Sequence, residues 1–233
     1  MLRYIDHKKM GRGSHGWLDS HHHFSFANYY NPANIQFGVL RVVNDDIVQA
    51  GTGFDFHPHS DMEIISYVIR GELTHKDSMG NERTLGRGGI QYMSAGTGVV
   101  HGEFNNGSEE VRFLQIWVLP NKLGVKPNYG DFELPWEDRV DKWMNIVSGN
   151  PDDSFPIRFH ADLNLYASYI TNGNSLEFKV GKGRQAYMAL MEGSVTVNGV
   201  DVWERDALEI IEEDVVITAS KDAHLLMFEM EKE

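Results

Sequence analysis

Residues 51–63 read Gly51-Thr52-Gly53-Phe54-Asp55-Phe56-His57-Pro58-His59-Ser60-Asp61-Met62-Glu63, and residues 93–105 read Met93-Ser94-Ala95-Gly96-Thr97-Gly98-Val99-Val100-His101-Gly102-Glu103-Phe104-Asn105. In an extended strand, side chains two apart point to the same face. His57 and His59 therefore aim together, and so do His101 and Glu103. Two such pairs meeting inside a barrel would place three imidazoles and one carboxylate around a common point.

The neighbouring residues support strands. Residues 39–44 are rich in β-formers, and Asp45-Asp46 after them reads as a turn before residues 47–50. Ile64-Ile65-Ser66-Tyr67-Val68-Ile69 is β-branched and aromatic and stops at Arg70-Gly71. Glu72-Leu73-Thr74-His75 leads to Asp77-Ser78-Met79-Gly80-Asn81, a hairpin turn by composition. Short strands at this spacing predict an all-β sandwich or barrel. Residues 11–31 are dense in aromatics, contain His21-His22-His23 and show no clear period. They suit either an aromatic flap over a pocket or a packed crossing segment.

Downstream, residues 120–156 hold five of the seven prolines and are expected to connect two halves, with a short helix around 136–147. The second half repeats the first weakly. Tyr67-Val68-Ile69-Arg70-Gly71-Glu72-Leu73 parallels Ala189-Leu190-Met191-Glu192-Gly193-Ser194-Val195. Residues 99–102 parallel 215–218, and residues 114–119 parallel 225–230. Asn198-Gly199 marks a hairpin between residues 195 and 202. A duplicated barrel follows. The offsets of His57 and His59 from Gly71, counted from Gly193, fall on Lys179 and Gly181, and Ile217 or a neighbour takes the place of His101. The second barrel is expected to lack metal ligands.

Bulk composition narrows the chemistry. Cysteine is absent, so any metal must be held by nitrogen and oxygen, which excludes iron–sulfur and zinc-ribbon sites. The formal charge of −13 argues against direct nucleic-acid binding. No apolar run is long enough for a spanning helix and no signal-like start is present, so a cytoplasmic protein without a membrane role is expected. Nine of the eleven histidines precede residue 120, which assigns metal chemistry to the first half.

The two quoted stretches, together with Gly16-Trp17-Leu18-Asp19 and Phe24-Ser25-Phe26-Ala27, closely resemble the pirin family of cupins. The resemblance is dense over residues 11–119 and thin beyond. It implies a bicupin, two antiparallel jelly-roll barrels in tandem: residues 1–119 as the metal-binding barrel, 120–156 as linker, and 157–233 as a degenerate barrel without ligands. It also implies metal ligands at His57, His59, His101 and Glu103. Most cupins use a carboxylate of the first motif, seven residues before its glycine; here that place is Ile64, and Glu63 stands one residue away. Glu103 is therefore preferred, with Glu63 read as a supporting residue or one half of an ion pair.

Three imidazoles and one carboxylate on an octahedral ion leave about two positions open. Such a set suits one divalent ion, Fe(II) first, with Mn, Ni, Co, Cu or Zn also compatible. Phe54, Phe56, Met93 and Phe104 would wall the site according to their facing. Family members are associated with quercetin 2,3-dioxygenase activity. The resemblance thus implies a small aromatic substrate and O₂, ring opening of a flavonol, and Glu103 as general base. The rival expectation is a non-enzymatic metal or redox sensor acting through protein partners, as eukaryotic pirin does in regulation. A monomer is expected.

Overall fold

A computed structural model describes residues 1–149, 157–158 and 160–233. The chain forms two compact units, one of Met10–Leu134 and one of Met1–Lys9 with Pro135–Glu233. The strand segments of the first unit are β2 (Gly11–Ser14), β3 (Leu18–His22), β4 (Leu40–Val48), β5 (Gly53–His59), β6 (Glu63–Arg70) and β7 (Leu73–Asp77). They continue as β8 (Glu82–Leu85), β9 (Ile90–Ser94), β10 (Val99–Phe104), β11 (Val111–Val118) and β12 (Asn128–Phe132). Seven form one sheet in the order β12-β9-β6-β11-β4-β3-β2, and four form another, β5-β10-β7-β8.

These two sheets face each other. Phe54 of β5 packs edge-on against Phe113 of β11, beside the buried Val48, Val68, Leu73, Leu85 and Val111. The expected barrel is thus a jelly-roll sandwich: its sheets are not joined into one closed hydrogen-bonded cylinder. Pro58 sits on β5, at the sheet edge, where its missing N–H leaves no partner strand unserved.

Several local expectations change. Asp45 and Asp46 make no turn; they lie within the nine-residue β4, both buried. Arg112 on β11 donates Nε to Asp45 Oδ1 at 2.8 Å and a terminal N–H to Oδ2 at 2.7 Å. That buried bidentate pair removes the reason for Asp45 to seek water. Asp46 points to the opposite face, toward the other sheet. Residues 11–31 contain β2 and β3, which extend the large sheet. Strand propensity is weak in Gly-Arg-Gly-Ser, so pairing with β3 imposes the conformation. Gly11 matters because a Cβ there would come within 2.3 Å of the Tyr29 ring.

The second unit contains β1 (Leu2–Ile5), β13 (Met144–Ser148), β14 (Ile157–Arg158), β15 (Leu163–Ile170), β16 (Ser175–Phe178), β17 (Arg184–Val197), β18 (Val200–Trp203), β19 (Ala207–Ile211) and β20 (Val215–Glu231). Met1–Lys9, expected in the first unit, group here because β1 pairs with β19. Part of the expected linker is strand: β12 pairs with β9, and β13 with β15. In place of a helix near 136–147, a short 3-10 turn at Trp136–Arg139 precedes β13. Residues 150–156 of that segment, including Pro151 and Pro156, lie outside the described residues.

The Asn198-Gly199 hairpin is present, with φ of 46° and 84° at its two turn residues, the pattern of a type I′ turn. Residues 215–218 and 225–230 belong to one strand, the 17-residue β20. Gly71 and Gly193 share a left-handed conformation, and a Cβ on either would meet a carbonyl oxygen, Glu110 O at 2.7 Å or Asp222 O at 2.0 Å. The interior of this unit holds a large apolar cluster that includes Val180, Met188, Leu190, Val195, Ile217 and Leu225, with Arg139 and His224 also fully buried. Among the described residues no helix is long and apolar enough to cross a membrane.

Candidate metal centre

Strand β5 pairs antiparallel with β10, and His57 lies directly opposite His101. Paired residues share a face, so His57, His59 and His101 converge. Their ring centroids are 4.6–4.9 Å apart. One nitrogen from each lies within 4.8 Å of the other two. His57 Nδ1 lies 2.7 Å from Asp55 O. A proton on Nδ1 makes that bond and leaves Nε2 free as a ligand atom. The Nε2 atoms of His59 and His101 are buried with no hydrogen-bond partner in the protein. Buried polar atoms are normally paired, so a divalent cation fits this donor set.

Burial first, and then the neighbouring imidazoles, lower the pKa of His59 to about 4 and that of His101 to about 3. Both rings are therefore neutral at pH 7, the state a metal ligand requires. His101 is also backed from β7. Its Nδ1 lies 3.5 Å from His75 Nδ1, and His75 Nε2 lies 3.2 Å from Asp77 Oδ2. A proton on His101 Nδ1 and another on His75 Nε2 would orient this chain, leaving His101 Nε2 toward the metal. Tyr129 of β12 stacks on His75 at 4.6 Å.

Glu103 stands apart from the convergent trio. Between His101 and Glu103 the β5–β10 register slips, so that Glu103 pairs with Phe54. Its carboxylate is held by side chains of the large sheet. Ser66 Oγ and Gln91 Nε2 donate to Oε1, the latter at 2.7 Å, and Gln115 Nε2 donates to Oε2. The structure thus brings together three of the four expected ligands and anchors the fourth beside them. Glu63 is on the other face of β6 from Ser66, accepting a hydrogen bond from Ser94 Oγ at 2.9 Å.

The same bulge decides the wall. It turns Phe54 inward, whereas Phe56 remains 55% exposed. A cavity of about 500 Å³ is bordered by His57, Glu103, Phe26, Tyr29, Phe54 and Trp117 among others. Trp117 lies edge-on to both His59 and Phe26. Met93 packs instead with Ile64 and Val99. Residues 26–29 border the cavity, so the aromatic segment of the sequence is part of the site. Sequence reading missed His75, Asp77 and Trp117. The only available signal for the first two was their spacing on one strand face.

Two jelly-roll units in tandem, one with a histidine cluster between its sheets, define a bicupin. The family model described as Pirin matches residues 5–118, and that of the quercetinase C-terminal cupin domain matches residues 145–230. A pirin-like protein of Caulobacter vibrioides is 42% identical over 227 residues, covering 96% of this chain and 98% of its own. The quercetin 2,3-dioxygenase of Escherichia coli K12 is 39% identical over 222 residues, 94% of each chain. The bacterial pirin YhhW of Escherichia coli, solved in complex with nickel(II), matches with a TM-score of 0.93 at 36% identity over all of both chains. This chain belongs to the pirin family.

Proposed function

We propose that this protein is a metal-dependent dioxygenase that opens the ring of a flavonol such as quercetin with O₂. The observation that carries the reading is the set of three convergent imidazoles, two with unpartnered Nε2 atoms, beside an aromatic cavity of about 500 Å³. That volume lies in the range of small-molecule sites. The relatives add support: one is named for quercetin dioxygenation and another was solved with nickel(II).

His57, His59 and His101 would hold the ion, with Glu103 completing the set; iron(II) is the first choice. The ion supplies Lewis acidity that favours loss of a proton from a hydroxyl. Phe26, Phe54 and Trp117 receive the planar ring system and exclude water. Glu103 is the base that takes the 3-hydroxyl proton, its carboxylate steadied by Ser66, Gln91 and Gln115. Both atoms of O₂ enter the products, a depside and carbon monoxide. The second unit, built around a large apolar cluster, has a structural role, and the protein works in the cytoplasm.

Oxygen uptake with quercetin tests the reading on iron-loaded wild type and on His57→Ala. Metal-dependent uptake that vanishes in the variant is expected. Glu103→Gln should lower both metal occupancy and turnover. Metal binding without uptake would favour the sensor.

A further inference from the structure

One wall of the cavity is polar, and the proposed chemistry does not use it. His22 of β3 and Asn44 of β4 are directly paired, as are Ser20 and Asp46. Asn44 and Asp46 are two apart on β4 and share a face. All four residues border the cavity and are at least nine-tenths buried. Yet Ser20 Oγ, His22 Nδ1, Asn44 Oδ1 and Asp46 Oδ1 have no hydrogen-bond partner in the protein.

Buried polar atoms are normally paired, and four orphans on one wall of one cavity are a pattern. The same unit shows what the chain does when a buried carboxylate is purely structural: Asp45, one residue away, receives a bidentate arginine. Asp46 receives none. Gly13, opposite Ser20 on β2, keeps the space beside His22 open, since a Cβ there would lie 3.3 Å from His22 Cε1. The wall is set apart from the histidine cluster. Asn44 is paired with Gln115, the residue that donates to Glu103, and His22 is one strand further out. At about 4.8 Å per strand, the wall begins roughly 5–10 Å from Gln115. That distance is comparable with the separation of the outer rings of a three-ring aromatic.

We infer that His22, Asn44 and Asp46 form a second anchoring subsite, which selects ligands bearing hydroxyl donors at the end remote from the metal-bound group. The orphan oxygens of Asn44 and Asp46 accept, and His22 takes either role according to its tautomer. The preferred ligand is a hydroxylated aromatic rather than its bare-ring analogue. A site built to hydrogen-bond a hydroxyl discriminates against a ligand without one, because its own polar atoms are then left unpaired. The inference rests on the cavity being the ligand site of the proposed function.

Binding is read by quenching of the protein's tryptophan fluorescence under anaerobic conditions, with metal-loaded protein. The probes are quercetin and 3-hydroxyflavone, which share the 3-hydroxyl and differ in the remote hydroxyls. Wild type should bind quercetin at least about ten-fold more tightly, the equivalent of one good buried hydrogen bond. Asn44→Leu and Asp46→Leu should each reduce that preference several-fold and leave the affinity for 3-hydroxyflavone nearly unchanged. The comparison of probes on wild type needs no variant, so a misfolded variant leaves the test intact. Equal affinity of wild type for both probes would overturn the inference, as would an undiminished preference in both folded variants. Oxygen uptake separates the two readings. A preference without uptake removes the dioxygenase and keeps the subsite; uptake without a preference does the reverse.

Discussion

Replacing Asp46 with asparagine should make the protein's stability less sensitive to a rise in pH from about 4 to about 7. Asp46 is 3% exposed, and burial, with smaller contributions from the charges of Asp45 and Glu103, raises its pKa from 3.8 to about 7; the Ser20 hydroxyl opposes this in part. The native state therefore holds this proton more tightly than the unfolded chain does. Between pH 4 and 7 the unfolded chain gives up the proton first, so stability falls as pH rises, and the loss levels off above about 7. At 1.36 kcal/mol per pKa unit the full penalty is about 4 kcal/mol, of which roughly 2.5 kcal/mol develops between pH 5 and pH 8. Asparagine has the shape of the protonated acid and does not titrate. The gap between Asp46→Asn and wild type should then widen by roughly 2.5 kcal/mol in favour of the variant over that interval. His59 and His101, lowered to about 4 and about 3, act in the opposite sense, costing stability as pH falls below 6.5. Both proteins share that contribution, so subtraction removes it. The assay is denaturant unfolding of metal-free protein, in chelator, at pH 5, 6, 7 and 8. A gap that stays constant across this range would refute the account of Asp46.

Three further outcomes are expected. His75→Ala should weaken metal binding about 10- to 100-fold in a calorimetric titration of folded protein, because His101 loses the ring behind its Nδ1. Arg112→Ala should cost about 3–5 kcal/mol in denaturant unfolding by leaving Asp45 buried without its arginine, whereas Arg112→Met combined with Asp45→Leu should restore most of it. Gly71→Ala should cost at least about 1–3 kcal/mol by the same measurement, since φ is 73° and the new Cβ would lie 2.7 Å from Glu110 O.

Much of the candidate metal site was legible in the sequence because strand parity is a local property. His-x-His on one strand and His-x-Glu on another specify which side chains share a face, whatever the partner strand. The three histidines accordingly converge. Glycine at 71 and 193 was equally legible as a recurring mark, and both positions are left-handed and packed against a carbonyl. The Asn198-Gly199 hairpin follows from two residues that tolerate positive φ.

What lay beyond the sequence depends on contacts between distant residues. Asp45-Asp46 carries the composition of a turn. It is strand because Arg112, 67 residues away, neutralises one carboxylate and the cavity takes the other. Residues 11–31 have no period of their own, and β2 and β3 are strands because β4 offers an edge to pair with. A one-residue slip between β5 and β10 turns Phe54 inward, and Ser66, Gln91 and Gln115 of the facing sheet hold the Glu103 carboxylate. The sequence by itself determined an all-β chain and the histidines able to hold a metal, because alternation and turn chemistry act between neighbours. Only the tertiary structure decided the wall around them, the ring behind His101 and the environment of Glu103. Those follow from register and burial, which are set by residues far apart in the chain.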